Sequence, residues 1–301
     1  MKVSDEKLSA FYNDVVFPLS IEHRTSLKTL CQEKRDEFSA NLLTDFAQLM
    51  EKAVYMQQQN TKGKAAYIVL SFLRCNIYAQ LVPDICRFDM YDESDYEDEH
   101  ECCVYMSVPW INESILAFDK SIRVEIRKSS IKLPDYRIEA VVLSEIAKFA
   151  EVLSYLLRYS IPEIEKLESW HELSILDYVD IRFGEFREDT ISIYKYDTKA
   201  ADESVIKHRL QEKNSMHYYS VKNSNLSHGN YDGIDLRFTD FSGSNFEGSS
   251  FVNSYLTGTS WRNCNLKNVN FTGSNLIGAD FRGAIKDTAI FDNTTALDAF
   301  W

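Results

Sequence analysis

The chain has 301 residues, 33 Lys and Arg against 46 Asp and Glu, a formal net charge of −13 and 45% hydrophobic residues. That length allows two domains with a buried core, and the acidic balance argues against direct binding to phosphate backbones. The start MKVSDEKLSAF has no apolar run, the best membrane candidate (Ala65 to Val82) is cut by Arg74, Asn76 and Gln80, and Cys31, Cys75, Cys86, Cys102, Cys103 and Cys264 share no repeated spacing, so the expectation is no signal peptide, no membrane span and free thiols in a reducing cytosol.

Residues 1–200 predict an α-rich α+β domain. From 20 to 60, Leu27, Leu30, Cys31, Phe38, Leu42, Phe46, Leu49, Met50 and Ala53 recur at helical spacing. Residues 64–82 are more uniformly apolar and predict a core helix. Asp135 to Tyr159 repeats the helical pattern through Ile138, Val142, Ile146, Phe149, Leu153 and Leu156, with Pro134 at its start and Pro162 beyond its end. Period-two runs at Cys103 to Val108, Ile122 to Ile126, Tyr178 to Phe183 and Ile191 to Tyr196 predict strands, the last two pairing across 184–189. Residues 201–220 read as a helical connector.

Charge is concentrated in one place. Residues 221–301 hold eight acids and six bases, a balance of −2, so the remaining −11 of the total lies before them. Asp89, Asp92, Glu93, Asp95, Glu97, Asp98, Glu99 and Glu101 give eight acids in thirteen residues, with Tyr91 and Tyr96 interleaved and no Lys or Arg. So dense a block predicts a solvated loop. A plain acidic loop is one reading. The other is a docking surface for a basic partner, with Asp92, Glu93, Asp95, Tyr96, Glu97, Asp98, Glu99 and Glu101 as its candidate residues: a block of one sign speeds encounter with a partner of the opposite sign, and aromatics add contact area. The block lacks the glycine and spacing of an EF-hand. A zinc site at His100, Cys102 and Cys103 would need a fourth ligand from elsewhere. No metal and no cofactor are expected.

From residue 226 every fifth position is large and apolar: Leu226, Tyr231, Leu236, Phe241, Phe246, Phe251, Leu256, Trp261, Leu266, Phe271, Leu276 and Phe281. The residue two before each is mostly small, as at Ser224, Gly229, Ser244, Ser254 and Cys264. A helix face recurs at 3.6 and a strand face at 2, so a period of five signals a stacked solenoid. Segments such as SNLSH, IDLRF, SNFEG and ADFRG resemble the pentapeptide repeat family over about residues 221–291. The resemblance implies a right-handed quadrilateral β-helix of about three coils, with those twelve large residues and the small ones pointing inward. Cys264 then reads as filler, and the polar atoms of Tyr231 and Trp261 should reach an end, an edge or a partner. Lys286 breaks the phase, and residues 292–301 read as a C-terminal cap. Phe300 and Trp301 could instead form a homodimer contact, since family members often pair end to end.

No phosphate loop, HExxH, G-x-S-x-G or CxxC motif occurs. His23, His171, His208, His217 and His228 have no sequence-local nucleophile. The expectation is a non-enzymatic bacterial cytoplasmic protein that docks stoichiometrically on a basic toxin or nucleic-acid-acting protein, as an immunity protein or antitoxin does, without touching nucleic acid or membrane. The family resemblance offers an alternative, protection of type II topoisomerase by DNA mimicry, but here the repeats are close to neutral. A secreted effector or scaffold is the third class.

Overall fold

The apolar run after Gly63 forms a strand, not the core helix that its composition predicts. In the computed structural model, which describes residues 9–78, 84–94, 100–129, 131, 133–197 and 202–301, β1 spans Ala65–Phe72. It lies in the middle of the sheet order β3-β2-β1-β4-β5. A central strand is covered on both faces, so it loses the alternation that would mark it as a strand. Its partner β2, Asp84–Asp92, is antiparallel, with Leu70 opposite Phe88. The strand β3, Cys103–Ser107, pairs antiparallel with β2, Tyr105 facing Arg87. The last hairpin is β4, Ile175–Glu185, and β5, Thr190–Asp197.

The helices are α1 (Phe17–Glu33), α2 (Arg35–Gln58), α3 (Pro109–Lys128), α4 (Asp135–Ser160), the short α5 (Glu168–Glu172) and α6 (Glu203–Gln211). A π-helical turn, Tyr12–Val16, runs directly into α1. The predicted strand at Ile122–Ile126 is the last part of α3. Ile111, Ile115, Phe118, Ile122 and Ile126 are all buried there and recur every three or four residues, whereas Val124 is exposed. The short alternation was a fragment of the longer helical period.

By contact density the chain divides into two units. One comprises residues 1–174 and 182–191, the other 175–181 and 192–301. In the first, α1 packs against α3 and α4, and α2 packs against α4, β2 and β3. Phe46 and Phe88 meet there with ring centroids 5.2 Å apart, and Phe118 meets Phe149 at 5.4 Å. The Glu145 carboxylate on α4 is buried, yet it accepts hydrogen bonds from the Tyr12 hydroxyl, from Ser20 Oγ at 2.6 Å and from Lys148 Nζ at 2.8 Å. A buried charge persists only with such partners.

The second unit carries the repeats. Parallel bridges join residues twenty apart, from Ser220–Asp240 to Asp280–Phe300, so four pentads complete one coil. The same geometry begins before Val221 and continues through residues 292–300, which keep the turn-and-bridge pattern of the other pentads. All twelve predicted core residues are buried. Aromatic rings stack coil upon coil: Phe241 on Trp261 at 4.9 Å, Trp261 on Phe281 at 6.3 Å, and Phe281 on Trp301 at 4.9 Å. The small inward positions do more than fill space. Ser244, Ser249 and Ser254 donate to the carbonyls of Val221, Leu226 and Tyr231 at 2.8, 2.9 and 3.0 Å. The Cys264 thiol does the same to Phe241 at 3.0 Å, so this residue is a donor as well as filler. The Tyr231 hydroxyl donates to Leu226 O at 3.1 Å and Trp261 Nε1 to Thr259 Oγ1 at 2.7 Å. Both polar atoms are satisfied inside the coil rather than at an end or a partner.

Candidate functional site

The acidic block is split by strand pairing. Its first residues belong to β2, not to a loop, and a strand that crosses a buried sheet can hold a carboxylate only with donors in reach. Asp89 is buried beside Arg87, two residues earlier on the same face of β2. Arg87 Nε lies 2.9 Å from Asp89 Oδ1, and a second guanidinium nitrogen is shared between Asp89 and Glu101. The same guanidinium lies 5.7 Å from the Tyr105 ring centroid and 5.4 Å from that of Phe186, in the β4–β5 turn. Burial pushes the Asp89 carboxyl up against the pull of Arg87; burial also opposes the charge of Arg87, but its hydrogen bonds to Asp89 and Glu101 outweigh this and hold it firmly protonated.

Asp92 is also internal, 6% exposed. It accepts from Gly63 N at 2.7 Å, Ser94 N at 3.0 Å and Ser94 Oγ at 2.5 Å, closing the turn that leaves β2. Burial alone would raise its carboxyl, but those bonds and the nearby Lys62 carry it below the usual carboxylate range. Lys62 is itself buried, which lowers its ammonium, and Nζ donates to His100 O at 3.0 Å. Asp92 is therefore withdrawn as a docking residue, because its oxygens serve the turn. Glu93 is exposed, and so is Glu101, whose side chain keeps 64% of its surface despite its pairing with Arg87. The remaining candidates, Asp95, Tyr96, Glu97, Asp98 and Glu99, lie outside the described residues.

Lys62, Arg87, Asp89 and Glu101 line one wall of a cavity of about 630 Å³, closed on another side by Glu185, Phe186 and Arg187. Phe186 N donates to Phe72 O at 3.1 Å, which fixes the β4–β5 turn beside β1. One oxygen each from Asp89 and Glu101 and the Cys103 sulfur lie within 4.8 Å of one another, which is close enough for a metal ion. The Arg87 guanidinium already bridges both carboxylates, so the arrangement works as an ion-pair clamp. Burial raises the Cys102 thiol to about 11 and also raises that of Cys103, which works against thiolate chemistry here. Sequence inspection misses Arg87, Lys62 and Phe186. The alternation Arg87-x-Asp89 would have pointed to a shared strand face, but nothing in the sequence brings Phe186 to it.

On the repeats some of the charges are held in local pairs. Asp235 holds Arg237 at 2.8 Å and His217 at 2.8 Å, and Asp280 holds Arg282 at 2.5 Å. Residues 222–258 and 249–285 match the family model for pentapeptide repeats, in eight copies. The C-terminal segment is a pentapeptide-repeat domain. Among solved structures, the chain is similar to Rfr23, a pentapeptide repeat protein of the cyanobacterium Cyanothece 51142, at 22% identity over 29% of this chain and 63% of that one, with a TM-score of 0.22. It is similar to QnrB1, a plasmid-mediated fluoroquinolone resistance protein, at 27% identity over 25% of this chain and 44% of that one, with a TM-score of 0.17. A pentapeptide repeat protein of the Arabidopsis thaliana thylakoid lumen matches at 20% identity over 32% of this chain and 67% of that one, with a TM-score of 0.18. The chain thus spans less than two thirds of the first two structures it matches. No curated protein matches it.

Proposed function

We propose that this is a non-enzymatic bacterial cytosolic binding protein that neutralises one basic protein, a toxin domain or a nucleic-acid-acting protein, by stoichiometric docking. The observation that carries the reading is the division of the acidic block: Asp89 and Asp92 serve the fold, whereas Glu93 and Glu101 face solvent at the two ends of the β2–β3 connection. The intervening sequence adds Asp95, Glu97, Asp98 and Glu99 with no compensating base. An acidic surface of this kind raises the encounter rate with a basic partner. A charge-neutralised chain with Glu93, Glu97, Glu99 and Glu101 changed to Gln and Asp95 and Asp98 to Asn keeps Asp92. It and the parent chain are used as parallel baits for host lysate. A basic protein captured by the parent, whose association is slowed in the variant and loses its salt dependence, supports the proposal. Equal association rates at low salt would count against it.

The alternative, topoisomerase protection by DNA mimicry, needs regularly spaced unpaired negative charge along the coils. Asp235 and Asp280 are each paired with arginine, which weighs against it. Recovery of a type II topoisomerase equally by both baits would favour that alternative.

A further inference from the structure

The ladder of β2 and β3 leaves one row of backbone groups facing outward. Met90 N donates to Cys102 O at 2.9 Å, so these two residues form a hydrogen-bonded pair. In an antiparallel ladder such pairs alternate with non-bonded ones. The pairs Phe88–Val104 and Cys86–Met106 are then the bonded ones, and the Cys103 and Tyr105 N–H and C=O groups point away from β2. On that side β3 is the edge of the sheet. Among the described residues the group found on this edge is Lys52 Nζ, 3.2 Å from Cys103 O. Sheet edges are commonly blunted by short length and a lysine. Here β3 is short, but the lysine meets one carbonyl and leaves the Tyr105 pair and the Cys103 N–H.

From this register we infer that the β3 edge takes an extended segment of a basic protein as an added strand. The inference rests on the docking proposal above and places the contact. Main-chain bonds to Cys103 and Tyr105 supply the affinity, and alternate side chains supply the selectivity. A residue paired with Tyr105 stands on the face that carries Tyr105 and Arg87, about 5.5 Å from Tyr105 between Cα atoms. Tyr105 is 48% exposed, and its ring offers a platform for a Lys or Arg. Continuing along the same face from Tyr105 through Cys103, the next position of that parity is Glu101, an exposed carboxylate. The favoured ligand is therefore an extended peptide with Lys or Arg at alternate positions.

The test uses the full chain and a fluorescein-labelled twelve-residue peptide of alternating Lys and Val, read by anisotropy at low and high salt. A second peptide replaces two valines by proline, and a third replaces every Lys by Glu. The first peptide is expected to bind roughly tenfold more tightly than the proline peptide, since each lost backbone bond weakens binding several-fold. Lys52→Met opens the Cys103 carbonyl and is expected to tighten binding several-fold. Tyr105→Pro removes an outward N–H together with the ring platform and its contact with Arg87, and is expected to weaken it; the gain in Lys52→Met keeps the test decisive if that variant does not fold. Equal affinity for the proline peptide, or no effect of Lys52→Met, overturns strand addition while leaving acidic docking intact. Equal affinity for the Glu peptide overturns the basic occupant and the docking proposal together. Absence of binding by the Lys peptide overturns the inference at this edge.

Discussion

The side-chain oxygen of Asn253 occupies the space that a Cβ on Gly273, one coil later, would need. Both residues are left-handed, with φ of 56° and 71°. The same relationship joins Asn223 to Gly243 and Asn263 to Gly283. The alternation of Asn and Gly at a spacing of twenty is therefore a packing rule at the coil corner, where each Asn leans over a residue without a side chain. Only Gly, and less readily Asn, adopts this backbone without strain.

Gly273→Ala should cost more than Gly278→Ala. Gly278 has a similar φ of 65° but no atom within 4 Å of its missing Cβ. The second substitution carries only the left-handed penalty, about 1 to 2 kcal/mol, and the first adds the overlap with Asn253. Urea unfolding of both variants, and of Asn253→Gly combined with Gly273→Ala, measures the difference. The double variant should recover most of the excess; equal losses in the two single variants would show that the overlap is relieved without cost.

The inward hydroxyls support a second prediction. Ser254→Ala leaves the Tyr231 carbonyl without its side-chain donor in a dry core. An unsatisfied buried acceptor costs about 1 to 3 kcal/mol. Cys264→Ser should be close to neutral, because the thiol already makes the same bond to Phe241. If Ser254→Ala unfolds at the parent's midpoint, the small positions are selected for size alone.

The repeats were legible because a period of five is matched by neither helix nor strand, and the large residues mark it twelve times in succession. The N-terminal unit was harder to read where one pattern has two physical causes. An apolar octet such as Ala65–Phe72 fits a central strand or a buried helix, and five alternating residues from Ile122 fit a strand or a stretch of helix. The acidic block misled in another way. Charge density predicts solvent, but Asp89 and Asp92 find Arg87, Gly63 and Ser94, and those donors become visible only once β2 is in register. Phe186 comes to the clamp through the sheet order, which no local pattern encodes.

Acid should loosen the helical layer through Glu145. Burial opposes its charge, but hydrogen bonds from Lys148, Ser20 and Tyr12 outweigh this and hold its carboxyl below the ordinary 4.5. A folded-state value below the unfolded one adds stability above the unfolded value, and that stability is lost as pH falls through the folded one. Glu145→Gln should therefore be less stable than the parent at neutral pH, and the gap should narrow as pH falls below about 4.5. Chemical unfolding monitored at pH 7, 5, 4 and 3 reads this directly. A gap that stays constant with pH would mean that the carboxylate contributes through packing rather than charge.

Arg87 and Glu101 should separate the structural and the exposed halves of the clamp. Arg87→Met leaves the Asp89 carboxylate buried without its guanidinium, a loss expected to cost about 3 to 5 kcal/mol. Glu101 holds the same guanidinium from an exposed position, where an ion pair contributes about 0 to 1 kcal/mol. Glu101→Gln should thus shift the unfolding midpoint little while Arg87→Met shifts it strongly. Adding Asp89→Leu to Arg87→Met should restore part of the loss, because the uncompensated charge is removed together with its partner. If the double variant is no more stable than Arg87→Met alone, the cost lies in the Arg87 contacts with Tyr105 and Phe186 rather than in the buried carboxylate.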